Sequence, residues 1–115
     1  HYKLDNLCVI IDFNNLQIDG RTTEVMNVQP VDEKLKAFGF EVCCVNGNDF
    51  DELDAAFNRF HETKGKPFAI VMKTVKGKGV SFMEDVCGWH GKAPSDENYK
   101  TAMAELNAKL AELEA

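Results

Sequence analysis

LCVIIDF, residues 7–13, is almost continuously apolar, and so are FEVCCV (40–45) and PFAIVMK (67–73). A strand with one wet face alternates apolar and polar residues, because successive side chains point to opposite faces. An unbroken apolar run instead suits a strand covered on both faces, as in a parallel sheet. Two helical patterns separate the three runs. PVDEKLKAFG (30–39) opens on Pro30, whose fixed φ suits a first helical position, and stops at Gly39. NDFDELDAAFNRFHETKG (48–65) offers Asn48 or Asp49 as its cap, sets Phe50, Leu53, Phe57 and Phe60 along one face, and ends at Gly65. Strand, helix, strand, helix, strand is the half-module of an open, doubly wound, mainly parallel sheet, so the predicted class is α/β.

Beyond the third run, Thr74 to Pro94 is irregular and holds four glycines and the pair Trp89-His90. Long irregular loops in small domains usually carry function. The chain closes on a long predicted helix capped by Ser95, with Tyr99, Met103, Leu106, Leu110 and Leu113 at spacings of 4, 3, 4 and 3. That stripe predicts a docking helix, with a short coiled coil as the lesser alternative.

The 115 residues carry a net charge of −6, which argues against general nucleic-acid binding. Five of the thirteen basic residues (Lys64, Lys66, Lys73, Lys76 and Lys78) nevertheless fall between Thr63 and Met83, where there is no acidic residue. Such a stretch is either a solvated loop or a site for a small anion. No run is long and apolar enough to span a membrane, and no signal-peptide pattern opens the sequence. Cys8, Cys43, Cys44 and Cys87 form no CxxC; buried free thiols in a reducing cytoplasm are expected. The first residue is His1, and three parallel strands would leave a sheet uncovered. The expectation is therefore a later portion of a larger domain.

In open α/β sheets ligands bind beyond the carboxyl ends of the strands. Three features fall there: DFNNLQIDG (12–20), NGND (46–49), and KTVKGKG (73–79) leading to GWHGKAP (88–94). The Asn14 amide oxygen and the Leu16 carbonyl are neutral, hard oxygen donors that suit Mg²⁺ or Ca²⁺. The competing reading is a plain turn in which Asn15 or Gly20 takes a positive φ. KTVKGKG sets Lys76 and Lys78 among glycines that let backbone approach an anion, although it is no Walker loop. His90 sits in a glycine-bounded loop, open to a ligand or to a structural role, whereas His61 reads as a surface residue.

Taken in order, DFNNLQIDG, KAFGFEVCCVNGND and KTVKGKGVSFMEDVCGWHGKAP resemble transketolase, over about Leu4 to Leu106. The likeness is to the later half of its thiamine-diphosphate-binding domain, above all to the separately encoded N-terminal subunit of some bacteria and archaea. The NN is the downstream end of the signature shared by thiamine-diphosphate enzymes, GDG followed by NN; the upstream GDG is absent here. The WHGKAP run is the more specific motif. The resemblance implies that Asn14 and the Leu16 carbonyl hold Mg²⁺, with Ca²⁺ able to replace it, bridging to the cofactor diphosphate. It implies that Ile18 packs near the cofactor and that Asn15 is a loop residue. Lys76 would contact the cofactor, and His90 would lie beside the diphosphate and the sugar substrate as the candidate catalytic residue.

The implied activity is transfer of a two-carbon ketol unit from a ketose phosphate to an aldose phosphate. Residues 1–115 would be the C-terminal portion of the cofactor domain, working in the cytoplasm within a dimer or heterotetramer. They would need the missing N-terminal part of that domain and a pyrimidine-binding transketolase domain or subunit. The family's aspartate metal ligand, its earlier histidines and its activating glutamate lie in those parts, so this chain alone is expected to be inactive. The alternatives are a deoxyxylulose-phosphate synthase, a 2-oxo-acid dehydrogenase component, and a non-catalytic diphosphate- or partner-binding module. The transketolase resemblance implies active sites between chains, so the terminal stripe through Leu106 and Leu110 would face a partner.

Overall fold

The computed structural model describes residues 1–115. In chain order its elements are β1 (Cys8–Phe13), β2 (Leu16–Gln17), β3 (Gly20–Arg21), α1 (Thr22–Val25), α2 (Val31–Ala37), β4 (Glu41–Asn46), α3 (Phe50–Glu62), β5 (Phe68–Lys73), a 3₁₀ turn at Cys87–His90, and α4 (Asp96–Leu113). β1, β5 and β4 form a parallel sheet in that order, with Ile70 in register with Ile10 on one side and Cys43 on the other. The last strand in sequence is therefore the central one. β2 and β3 form a small separate hairpin.

The helices cover the two faces of the sheet. On one, Val31 and Leu35 of α2 pack with Val9, Phe13, Val42, Ala69 and Val71. On the other, Ala56 and Phe60 of α3 pack with Cys8, Cys43, Val45, Phe68, Ile70 and Met72. Phe68, Ala69 and Ile70 are wholly buried, and full burial of a Phe or Ile side chain stabilises by about 1.5–3 kcal/mol.

Only β5 is buried over most of its length. The apolar runs predict the same for β1 and β4, yet Ile10 is 48% exposed and the Cys44 thiol faces solvent rather than a core. The runs record what these strands can bury; as sheet edges under short helices they bury less. Burial does raise the pKa of the Cys8 and Cys43 thiols. The molecule is a slab only 17 Å thick. Its accessible surface of 8085 Å² exceeds by about 1,800 Å² that expected for a folded 12.9 kDa chain.

The local chemistry follows the predicted signals closely. Of the two candidate caps for α3, Asp49 serves, accepting hydrogen bonds from the backbone of Asp51 and Glu52 at 3.0 Å. Pro30 caps α2 rather than opening it. The face of α3 differs from expectation: it packs on the sheet through Ala56 and Phe60, Leu53 is half-buried, and Phe50 is exposed with Phe57 only partly covered. The small Ala56 lets the helix approach the sheet, and the two phenylalanines fall on its shoulder.

α4 starts at Ser95 with a reciprocal capping box to Asn98, as the sequence suggests. Within this chain it does not dock its apolar stripe. Tyr99, Met103, Leu106, Leu110 and Leu113 remain exposed. The helix is held through Glu105, which accepts from Ser81 N at 2.7 Å and Ser81 Oγ at 2.6 Å. First the hydroxyl, then the N–H, holds the Glu105 carboxyl below the usual carboxylate range. A depressed carboxyl stabilises above its unfolded pKa and loses that contribution as pH falls through the folded value. α4 should therefore stay attached at neutral pH and loosen only as pH falls below the usual carboxylate range. Amide exchange of Ser81 across that range should show acid-labile protection, absent in Glu105→Gln; protection unchanged by acid would contradict the assignment.

Candidate functional site

The carboxyl ends of β1 and β5 lie side by side, with Phe13 in register with Lys73. The Thr74 hydroxyl donates to the Asp12 carboxylate across this junction. Beyond it the two chains diverge, one into the β2–β3 hairpin and the other into the loop leading to Trp89 and His90. Between them opens a cavity of 430 Å³. Asn14, Leu16 and Ile18 line one wall, with Gln17 and Asp19, and Lys76 and His90 line the other. Segments up to 76 residues apart in sequence (Asn14 and His90) thus converge on one space.

The hairpin wall is built by its turns. The Asn14 side-chain oxygen accepts from the Leu16 backbone N–H at 2.9 Å, and Asn15 takes a left-handed φ of 62°. Asn is among the few residues that tolerate this region readily. Thr22 N donates to the Asn15 carbonyl at 2.9 Å, so the pair between them, Leu16 opposite Arg21, is a non-hydrogen-bonded one. In such a pair both backbone groups point away from the partner strand. The Leu16 carbonyl therefore leaves the hairpin on the edge where its N–H meets the Asn14 oxygen. The turn reading is the one observed, and the turn brings the Asn14 side-chain oxygen and the Leu16 carbonyl to one edge of the hairpin. The amide oxygen keeps a second lone pair.

The opposite wall hangs on glycine and on a small apolar knot. At Gly77, φ is +74°, and a Cβ there would lie 2.6 Å from the Met83 carbonyl oxygen. Only glycine fits this turn. Val80 is buried, Trp89 Nε1 donates to the Phe82 carbonyl at 3.1 Å, and the two rings pack at 5.4 Å. Lys92 Nζ sits 4.8 Å above the Trp89 ring. The 3₁₀ turn then delivers His90, exposed, to the cavity.

The five-lysine stretch does not act as one patch. Lys76 lines the cavity, whereas Lys78 pairs with Glu84 at 3.4 Å and Lys66 with Glu41 at 3.3 Å. NGND stands outside the lining and braces it: Asn48 Oδ1 accepts from Val75 N at 3.0 Å. Gly47 lets the chain cross closely, since a Cβ there would lie 2.6 Å from side-chain atoms of both Met72 and Thr74. His61 is exposed on α3. Sequence reasoning passes over Gln17 and Asp19. It also passes over an ion pair joining the walls, in which Arg21 Nη1 meets Asp85 Oδ1 at 3.1 Å and Nη2 meets Oδ2. Strands of two residues show no period that would flag Gln17 or Asp19, and nothing local flags a pair 64 residues apart.

No group of three or more His, Cys, Asp or Glu side chains is arranged to hold a metal ion. Mg²⁺ takes about six oxygen ligands, several of them commonly water and substrate phosphate. Asn14 and Leu16 fit one side of such a shell and leave the rest to phosphate, water and other residues. Lys76 fits a polyanion held beside it.

Residues 1–112 match the family described as "Transketolase, thiamine diphosphate binding domain". The chain is 41% identical over 113 residues to an apulose-4-phosphate transketolase subunit of Phocaeicola vulgatus, covering 98% of this chain and 40% of that protein. It is 38% identical over 104 residues to a 6-deoxy-6-sulfo-D-fructose transketolase subunit from a Clostridium species, covering 90% and 38%. It thus spans about two fifths of these relatives. Its fold superposes on the crystal structure of transketolase from Campylobacter jejuni with a TM-score of 0.82 and 34% identity, over 90% of this chain and 16% of that one. Fold and sequence agree that the chain belongs to the transketolase family, within its thiamine diphosphate binding domain.

Proposed function

We propose that this chain is the C-terminal portion of the cofactor domain of a transketolase, one that moves a two-carbon ketol unit from a ketose phosphate to an aldose phosphate using thiamine diphosphate and Mg²⁺. One observation carries the reading: Asn14, Leu16, Ile18, Lys76 and His90 line a single cavity at the carboxyl ends of parallel strands. When bound, thiamine diphosphate would supply the carbon nucleophile that breaks and remakes the carbon–carbon bond.

This chain's residues would do the binding and orienting. The Asn14 and Leu16 oxygens offer two hard ligands to Mg²⁺, or to Ca²⁺ in its place, and Lys76 adds a positive charge for the diphosphate. Ile18, 65% exposed, gives the cavity an apolar surface for the cofactor to cover. The His90 imidazole, at the opposite wall, would hydrogen-bond substrate oxygens as charge moves onto and off them. The remaining metal ligands and the activating acid would come from the rest of the cofactor domain and from a pyrimidine-binding domain or subunit, in a cytoplasmic dimer or heterotetramer. No helix here is long and apolar enough to cross a membrane.

Native mass spectrometry of the assembled protein with Mg²⁺ and thiamine diphosphate tests this. The expected result is one cofactor per complete site. Lys76→Ala should weaken binding about tenfold or more, since a hydrogen bond to a charged group contributes about 1.5–3 kcal/mol. An assembly that gains no cofactor would overturn the reading. Product analysis with ketose and aldose phosphates separates ketol transfer from the chemistry of related thiamine-diphosphate enzymes.

A further inference from the structure

The two walls of the cavity are joined by one side-chain link beyond the strand ends. Arg21 lies opposite Leu16 in the hairpin, so it is seated on the residue whose carbonyl faces outward. Its guanidinium meets the Asp85 carboxylate with both nitrogens. Asp85 in turn donates its backbone N–H to the Lys76 carbonyl at 2.9 Å. Leu16, Arg21, Asp85 and Lys76 therefore form a continuous chain of contacts from the oxygen-donor wall to the ammonium wall.

The backbone at Asp85 suits this task. Its φ of 58° lies in the left-handed region, which Asp enters more readily than most residues. The guanidinium–carboxylate pair is bidentate, so it fixes orientation as well as distance. The two partners are roughly half-exposed, at 47% and 46%. Exposed pairs add little to global stability. A pair that joins two loops around a cavity, and does little else, acts on the width of that cavity.

We propose that Arg21 and Asp85 are positioning residues. By holding the β2–β3 hairpin against the 76–90 loop, their ion pair sets the gap between the Asn14–Leu16 oxygens and Lys76. It thereby sets the affinity for a divalent cation bound together with a diphosphate. This deepens the transketolase reading above and rests on it.

The test measures Mg²⁺–thiamine diphosphate affinity by calorimetry on the assembled protein, with thermal midpoints alongside. R21Q and D85N should each weaken affinity about tenfold, the scale seen when a residue supporting a metal ligand is lost. The double variant should be no weaker than either single one, because one link is broken in all three. R21K should recover part of the loss, keeping the charge without the fork. Midpoints should scarcely move, and the Asp85 N–H should exchange faster in R21Q. Wild-type affinity in both single variants, or a double variant that multiplies their losses, would overturn the positioning role alone. A wild-type protein that binds no cofactor would overturn the functional reading, and with it the ligand named here.

Discussion

Asn14→Ala is expected to lower Mg²⁺-dependent thiamine diphosphate affinity by about 100-fold or more. Losing a residue that merely orients a metal ligand costs about 10–100-fold, and Asn14 is proposed as a ligand itself. Two effects would combine. The variant removes an oxygen from the metal's shell, and it also removes the acceptor at 2.9 Å that holds the Leu16 N–H and aims its carbonyl. Asn14→Asp separates them, because it keeps the acceptor geometry and an oxygen ligand while adding charge. It should retain tight binding when Mg²⁺ is saturating and bind poorly when the metal is chelated. Calorimetry at fixed thiamine diphosphate and varied Mg²⁺ reads both. If Asn14→Ala bound with wild-type affinity, the DFNNLQIDG segment would be a turn and nothing more.

Phe68→Ala is expected to destabilise the fold by about 3–5 kcal/mol, the range for deleting a fully buried aromatic ring. Phe68 has no exposed surface, its ring lies 5.9 Å from that of Phe60, and the Arg59 guanidinium stands 5.9 Å above it. Domains have only about 5–15 kcal/mol in total. A slab with eight buried residues has little to compensate with. Phe57→Ala is the control, since Phe57 lies on α3, the helix that packs over Phe68, but outside that packed cluster and 38% exposed, and it should cost clearly less. Urea midpoints of the two variants decide the matter: equal losses would mean that β5 is not the core.

The same contrast shows how far the sequence could be read. The three apolar runs gave the strands to within a residue, because a continuous run has few competing structures. Pro30, Gly39, Asp49 and Ser95 marked helix ends through local backbone chemistry, which needs no knowledge of the rest of the molecule, whereas α3 stops at Glu62, short of Gly65. Burial was less legible. The pattern in α3 marked Phe50 and Phe57 for the core, but the rotation of the helix was decided by which side chain, Ala56, allowed closest approach to the sheet. β2 and β3, at two residues each, are too short to show any period. The convergence of Asn14, Leu16, Ile18, Lys76 and His90 could be expected from where strands end and from a resemblance, but the distances between walls could not. The Arg21–Asp85 link has no local signature at all, because surface charges occur everywhere and only the fold says which pair meets.

The central place of β5 also governs how the protein can be made. β1 and β4 never touch as neighbours; each pairs only with β5, and Cys8 waits for Phe68. A ribosome adds about 5–20 residues per second, so roughly 3–12 s separate emergence of β1 from that of its partner. During that interval LCVIIDF, with a single charge and strong strand propensity, has no strand partner among residues 1–115. Expression yield should therefore depend on chaperone supply during synthesis more than on the stability of the finished fold.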